Sequence, residues 1–134
     1  MHRLNISSGR PWEEALGYSR AVRVGRLFET SLTSPSAPDG SILYPGDVYR
    51  QTQLSLKLIG DALAEAGMTY ADVFKTRIYM LDTSQWAEAG RAHAEVFRDI
   101  RPALSFIGVS NFFDPLIELE VEVVALAADD SGSQ

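Results

Sequence analysis

The sequence predicts a single α+β domain in which two helices cover one face of a mixed sheet. Runs of alternating apolar and polar residues are typical of strands, and two longer segments carry apolar residues three and four positions apart, as amphipathic helices do. The order of these segments is β-β-β-α-β-α-β-β. A chain of 134 residues fits one domain. Two helices can cover only one face of the resulting sheet.

The first three strands are predicted before residue 33. Apolar runs cover residues 4–6, 18–24 and 27–32, and Gly25-Arg26 separates the second run from the third. A turn-rich segment follows, with prolines and glycines between residues 34 and 46. Because proline fixes φ and glycine permits positive φ, this segment is predicted to be a loop.

The two helices are predicted from their apolar stripes and their ends. Asp47 can cap the first helix, and Gly67 is a plausible stop. Its stripe consists of Leu54, Leu58, Ile59, Ala62, Leu63 and Ala66. The second helix is predicted to begin at Asp82 or Thr83, and its inner stripe consists of Trp86, Ala89, Gly90, His93, Val96 and Phe97.

The last three strands are predicted over residues 74–81, 103–109 and 117–126. In the first of these, one face carries Phe74, Thr76, Ile78 and Met80, and the other carries Lys75, Arg77 and Tyr79. In the last, one face carries Ile117, Leu119, Val121 and Val123, and the other carries Glu118, Glu120 and Glu122.

The face without helices therefore carries lysine and arginine on one strand and glutamates on another. Antiparallel sheets allow such a face to be solvated. Alternatively, the opposite charges pair across strands and are partly buried in an oligomer. The sequence leaves both interpretations open.

Composition narrows the class of function. The net charge of −6 argues against a nucleic-acid partner, because phosphate binding needs a basic surface. The absence of cysteine excludes disulfides, thiolate nucleophiles and Cys-ligated metals, and it suits a cytoplasmic protein. With only His2 and His93, a multi-histidine metal site is not expected.

Neither a signal peptide nor a membrane-spanning segment is expected, because no apolar run is long enough. The domain is predicted to cover residues 1–128. Residues 129–134 are predicted to form a short disordered tail.

Four segments resemble those of a known family in order and spacing. They are Gly17-Tyr18-Ser19-Arg20-Ala21-Val22, Gly46-Asp47 with Gln51-Thr52, residues 62–67 followed by 72–76, and Arg101-Pro102-Ala103 followed by a Glu-rich strand. Over nearly the whole chain they resemble the Rid family of reactive intermediate deaminases, also called the YjgF or L-PSP family. The resemblance implies a chorismate-mutase-like fold and a homotrimer in which the sheets form a barrel-like assembly with small-molecule pockets between subunits.

The resemblance also implies a chemistry. The best-studied branch hydrolyses imines and enamines such as 2-aminoacrylate to 2-oxo acids and ammonia, without metal or cofactor. A guanidinium holds the substrate carboxylate, because its planar fork matches two oxygens. A carboxylate or a polarised backbone group orients the attacking water.

Two kinds of residue carry over to matching positions. Tyr18 matches the pocket tyrosine, although a half-buried strand aromatic is an equal interpretation. The water-activating glutamate corresponds to Glu120 when the end of the strand is aligned and to Glu118 when its start is aligned. Either glutamate could instead form an ion pair with Lys75 or Arg77.

Other positions depart from the family pattern. In Pro102-Ala103-Leu104-Ser105, Leu104 stands where the deaminase branch has its arginine, and leucine cannot bind a carboxylate. Gly90 stands where that branch commonly has asparagine and His93 where it has tyrosine, although His93 could also be a hydrogen-bonded core residue. The apolar Leu104 and Phe106 and the basic His93 together imply a substrate that lacks the usual carboxylate contact. Arg91 and Arg101 are the candidates to replace the missing arginine.

Three functions follow as hypotheses. The first is a hydrolase of a small imine or enamine with altered specificity. The second is a non-catalytic trimer that binds or senses a small metabolite. The third is the endoribonuclease activity for which one family name was coined, and the negative charge argues against it.

Overall fold

The computed structural model describes residues 2–129, which contain six strands and three α-helices. The strands are β1 (Arg3–Ile6), β2 (Ala21–Val24), β3 (Leu27–Thr30), β4 (Val73–Met80), β5 (Ala103–Gly108) and β6 (Leu119–Leu126). The helices are α1 (Pro11–Leu16), α2 (Val48–Glu65) and α3 (Trp86–Phe97). Short 3-10 turns precede β4 and α3. The predicted α+β fold is confirmed.

All six strands form one sheet with the order β1-β2-β3-β6-β4-β5. Neighbouring strands are antiparallel except β4 and β5, which are parallel. The last strand, β6, therefore lies inside the sheet, while β5 lies at its edge.

The core lies between β6, β4 and the two long helices. Leu119, Val121 and Val123 on one face of β6 are buried, as are Leu56 and Ile59 of α2. Each such side chain stabilises the fold by roughly 1.5–3 kcal/mol through its removal from water. The alternation along β6 thus fixes which face of the sheet the helices cover.

The short helix α1 was not predicted from the sequence. It begins with Pro11 at its first position and ends where Gly17 adopts a left-handed conformation with φ of 76°. Because the helix and its cap occupy the chain up to Gly17, the second strand begins at Ala21 rather than at Tyr18. Tyr18 lies in the connection between α1 and β2.

Two aromatic side chains predicted to face the core are exposed. Phe74 is 50% exposed because a β-bulge between Val73 and Lys75 interrupts the alternation, and Val73 takes the buried position. Trp86 is 58% exposed because it is the first residue of α3, beyond the part of the helix that packs on the sheet.

The buried stripe of α2 is rotated relative to the prediction. Leu54 and Leu58 are only half-buried, whereas Gln51, Thr52 and Ser55 are fully buried. Hydrogen bonding allows Gln51 and Thr52 to take core positions, whereas the buried Ser55 hydroxyl has no hydrogen-bond partner among residues 2–129. The Thr52 hydroxyl donates to the Val48 carbonyl at 2.8 Å.

The buried Gln51 joins three parts of the chain. Its side-chain amide donates to the carbonyls of Leu43, Tyr44 and Leu116 at 2.9–3.2 Å. Its side-chain oxygen accepts the Glu118 backbone N–H at 2.8 Å. Gln51 therefore anchors the segment that leads into β6.

Most of the disordered tail predicted for residues 129–134 lies outside the described part of the chain. Residues 130–134 are not described, while the Asp129 carbonyl accepts a hydrogen bond from Arg23 at 3.1 Å. Among residues 2–129, no helix combines the length and apolar character needed to cross a membrane.

We expect Gln51→Leu to destabilise the protein by about 2–4 kcal/mol, because three carbonyl groups and one N–H group would lose the buried Gln51 side chain as their partner. Denaturant unfolding at fixed protein concentration measures the change. Gln53→Leu is the matched control, since Gln53 lies on the same helix but is exposed. A loss of stability no larger than that of the control would contradict this role for Gln51.

Candidate functional site

The face without helices carries paired charges. Arg77 and Glu122 are cross-strand partners, and Arg77 Nη1 lies 3.5 Å from Glu122 Oε1. The Tyr79 hydroxyl donates to the same oxygen at 2.7 Å, and Lys75 Nζ donates to Ser105 Oγ at 2.7 Å. Opposite charges therefore pair across strands within one chain.

Glu120 lies on this face in a different environment. Its side chain is buried, with 6% exposure, and Ser34 Oγ donates to its Oε2 at 2.5 Å. Burial raises the pKa of Glu120 above its ordinary value, and the Ser34 hydrogen bond and the charge of Arg20 only partly oppose this rise. The protonated form of Glu120 is thus populated closer to neutral pH than that of an exposed glutamate.

Arg20 lies beside Glu120 and is itself buried. Its guanidinium donates to the Leu32 carbonyl at 2.7 Å, to Thr33 Oγ1 at 3.3 Å and to the Tyr18 hydroxyl at 3.3 Å. It also lies 5.6 Å from the centre of the Tyr18 ring. Arg20 therefore fixes the position of Tyr18.

A cavity of about 450 Å³ opens onto these groups. Its polar lining, referred to as its polar end, consists of Tyr18, Arg20, Ser31, Ser34 and Glu120, and its apolar wall consists of Trp12, Leu16, Leu32 and Phe113. Trp12 and Phe113 meet edge to face, with ring centres 5.0 Å apart. The cavity combines one acid, one cation and a mostly apolar lining, which is typical of a site for a small organic molecule.

Sequence reasoning missed Arg20, Ser34, Trp12 and Phe113 as members of this site. The pattern around Arg20 contained a usable indication, because a charged residue directly precedes the apolar run Ala21-Val22. Arginine is seldom fully buried unless it is paired. Ser34, by contrast, stands 86 positions before its partner Glu120, and no local pattern links the two.

A second group of predicted residues surrounds α3. The His93 Nε2 atom lies 2.9 Å from Thr76 Oγ1, and its ring centre lies 4.7 Å from that of Phe97. Burial lowers the pKa of His93 to about 4, so its ring is neutral at physiological pH. Gly90 faces the Phe106 ring.

The two groups lie on opposite faces of the sheet. Glu120 is the cross-strand partner of Tyr79, whereas Leu104 is the partner of Thr76 and Phe106 that of Ile78. Successive residues of a strand point to opposite faces. One chain thus brings Tyr18 and Glu120 together and keeps Gly90, His93, Leu104 and Phe106 apart from them.

Glu118 stands outside the cavity although it has the same parity as Glu120. It precedes β6, its side chain is half-buried, and its backbone N–H is held by Gln51. The cavity lining includes Glu120 and not Glu118.

Neither candidate for a replacement arginine lines the cavity. Arg91 is exposed on α3, where its guanidinium lies 3.6 Å from the centre of the Tyr49 ring and 3.2 Å from Glu88. Arg101 is exposed in a connection with φ of 61°. Among residues 2–129, no three metal-ligating side chains of His, Cys, Asp or Glu come together.

Comparison with known proteins identifies the family. Residues 10–127 match the family described as Endoribonuclease L-PSP, and the chain belongs to it. The uncharacterized protein SCO2049 of Streptomyces coelicolor is 36% identical over 121 residues, which are 90% of this chain and 89% of that protein. The resemblance to the YjgF/L-PSP/Rid family is therefore confirmed.

Solved structures agree on the fold. Rv2704 from Mycobacterium tuberculosis, a member of the YjgF/YER057c/UK114 family, is 41% identical with a TM-score of 0.83 over 93% of this chain and 99% of that chain. E. coli TdcF with bound serine is 26% identical with a TM-score of 0.75 over 83% of this chain and 88% of that chain.

A sequence relative, the mouse 2-iminobutanoate/2-iminopropanoate deaminase, is 29% identical over 64% of each chain.

The depressed pKa of His93 predicts a pH dependence of stability. Between pH 6.5 and about 4, the unfolded chain binds a proton at this histidine and the folded chain does not. Stability is therefore present above pH 6.5 and is lost as the pH falls, by roughly 3 kcal/mol over the whole interval.

The measurement is the free energy of unfolding between pH 7 and pH 4 for wild type and for His93→Gln. We expect the wild type to lose more stability over this interval than the variant does. His2→Gln is the matched control, because His2 is exposed and should leave the pH dependence unchanged. Parallel pH profiles for wild type and His93→Gln would contradict the buried, neutral state of His93.

Proposed function

We propose that the protein hydrolyses a small imine or enamine in the cavity, with Glu120 as its acid–base residue. One observation carries this proposal: a buried carboxyl group with a raised pKa lies at the polar end of a mostly apolar cavity. A group with these properties donates and accepts protons closer to neutral pH than an exposed glutamate does. Membership of the family and the mouse imine deaminase support the reaction class.

The reaction needs only water and proton transfers. Protonated Glu120 donates its proton to the imine nitrogen, and the resulting carboxylate takes a proton from water as the water oxygen bonds to carbon. Glu120 then donates that proton to the amine nitrogen and accepts the hydroxyl proton while the C–N bond breaks. The products are a carbonyl compound and ammonia, and no oxidant or reductant is involved.

Arg20 and Ser34 assist in different ways. Ser34 donates to one oxygen of Glu120 and so fixes the plane of the carboxyl group. Arg20 donates to a carbonyl and two hydroxyls of the chain. Because these donors are engaged, Arg20 is poorly placed to serve as a two-pronged carboxylate contact.

We propose that the substrate lacks the carboxylate of the usual 2-imino acids. The position of the family arginine is occupied by Leu104, which is 36% exposed on the edge strand β5. The cavity wall of Trp12, Leu16, Leu32 and Phe113 favours an apolar substituent. A small carbonyl-derived imine with an aliphatic or aromatic side chain fits this lining.

We further propose a homotrimer with a pocket between subunits. Leu16, which lines the cavity, is 75% exposed in the single chain, and Phe113 beside it is also exposed. Exposed apolar surface at the rim of a cavity is typical of an interaction site. The edge strand β5 of a neighbouring copy would cover this rim and bring Leu104 to the cavity of the first copy.

The net charge of −6 favours a small-molecule substrate over ribonuclease activity. The proposed cytoplasmic location rests on the absence of cysteine. RNA cleavage by the purified protein that is abolished in Glu120→Gln would overturn this assignment.

We expect Glu120→Gln to reduce hydrolysis by about 10²–10⁴-fold, because glutamine neither donates a carboxylic proton nor accepts one. Ammonia release is followed with a panel of small imines, with and without a carboxylate, generated in situ by amine and amino-acid oxidases. Glu118→Gln is the matched control, because Glu118 has the same parity as Glu120 but does not line the cavity, and it should retain activity. If Glu118→Gln loses activity and Glu120→Gln keeps it, the acid–base assignment is wrong. Ligand binding without any turnover across the panel would favour the non-catalytic alternative.

A second experiment tests the role of Leu104. We expect Leu104→Arg to increase the release of 2-oxo acid from 2-aminoacrylate at least ~10-fold, because the introduced guanidinium would pair with the carboxylate. Leu104→Gln is the control, since it adds polarity without charge. Rapid turnover of 2-aminoacrylate by wild type, with no gain in Leu104→Arg, would show that another group binds the carboxylate.

A further inference from the structure

We propose that Glu13 is a positioning residue of the cavity: it holds Arg20 and balances its charge, so that Arg20 orients Tyr18 while Glu120 remains a proton donor. The effect of Glu13 on Arg20 and on the pKa of Glu120 is argued from groups within one chain. The consequence of this effect for turnover rests on the proposed function.

Glu13 is a buried carboxylate on a helix of only six residues. The Ser7 hydroxyl donates to its Oε1 at 2.9 Å, and the Ser8 backbone N–H donates to the same oxygen at 3.1 Å. The Ser8 hydroxyl donates to its other oxygen, Oε2. Arg20 Nε lies 3.5 Å from Oε2, and both side chains of this ion pair are only 6% exposed.

The hydrogen bonds keep Glu13 ionised in spite of its burial. Burial alone would raise its pKa, but the donors of Ser8 and Ser7 and the charge of Arg20 outweigh burial and hold the pKa below its ordinary value. Glu13 and Glu120 are both buried carboxyls near Arg20, yet their pKa values move in opposite directions. Divergent pKa values of this kind assign one group to a fixed charge and the other to proton transfer.

Arg20 acts on both carboxyls. It forms an ion pair with Glu13 and donates to Tyr18. It lines the same cavity as Glu120, and its charge lowers the pKa of Glu120. An arginine without a counter-charge would act on Glu120 with its full positive charge in a poorly screened site. The carboxylate of Glu13 reduces that effect and keeps the guanidinium in place.

Other charged and titratable groups on this face do not counterbalance Arg20. They are Arg3 on β1, Glu29 on β3, Lys75, Arg77 and Tyr79 on β4, and Glu118 and Glu122 on the β6 segment. Arg77 and Tyr79 both contact Glu122, and Lys75 donates to Ser105. Arg20 is the cation whose charge acts on Glu120.

The test measures the pKa of Glu120 directly and needs no substrate. Protein with ¹³C-labelled glutamate is titrated by NMR, and the Glu120 side-chain carboxyl signal is assigned by its loss in Glu120→Gln. We expect Glu13→Gln to lower the pKa of Glu120 by about one unit, since the charge of Arg20 is then uncompensated. Glu14→Gln is the matched control, because Glu14 is the exposed neighbour on the same helix, and it should leave the pKa unchanged.

Two further variants keep the test decisive if Glu13→Gln folds poorly. Glu13→Asp retains the charge and should preserve the pKa of Glu120 more closely than Glu13→Gln does. Arg20→Gln removes the cation and should raise the pKa of Glu120. An unchanged pKa in Glu13→Gln, or in Arg20→Gln where the first variant does not fold, would overturn the inference. A shifted pKa in a protein that hydrolyses none of the imines would leave this inference standing and would remove the proposed function.

Discussion

The structure depends on the alternation along β6, an interior strand with apolar residues on one face and glutamates on the other. Its apolar residues pack against α2 in a core cluster that also contains Ala89 and Phe97 of α3, so the two long helices lie on one side of the sheet. Its glutamates must then lie on the side away from these two helices. Because β6 is paired with both β3 and β4, its register also decides which group each glutamate meets.

Three glutamates with the same parity consequently have three different environments. Glu122 is opposite Arg77 and forms an ion pair. Glu118 lies before the strand, where its backbone is held by Gln51. Glu120 lies between them, against Ser34, and is the most buried of the three. Parity predicts the face of a side chain, whereas the loops and strands that cover that face determine its protonation.

The sequence was sufficient for the elements that repeat a pattern. The long helices α2 and α3, the strand β4 and the two faces of β6 follow from periodicity over eight or more residues. The helix α1 has six residues, too few to show a helical period, and it is recognisable only from Pro11 and Gly17 at its ends. The bulge at Val73–Lys75 depends on pairing with β6, which no local sequence contains.

The same distinction explains what could be predicted of the candidate site. Tyr18 and, as one of two candidate glutamates, Glu120 were predicted from their resemblance to family positions, and both line one cavity. Glu13 and Ser34 were not predicted, because their roles arise from contacts with residues on other elements. Buried polar groups of this kind become visible only when their partners are known.

The two faces of the sheet also separate two functions of the proposed site. In the proposed mechanism, proton transfer depends on Glu120, and the buried ion pair of Glu13 and Arg20 acts on Glu120 within the same chain through the charge of Arg20. A change at any of them alters the charge balance of the others. Leu104 lies on the edge strand and is linked to this network by no described contact. In the proposed trimer, recognition of the substrate can therefore change at the edge strand while the proton-transfer groups keep their arrangement.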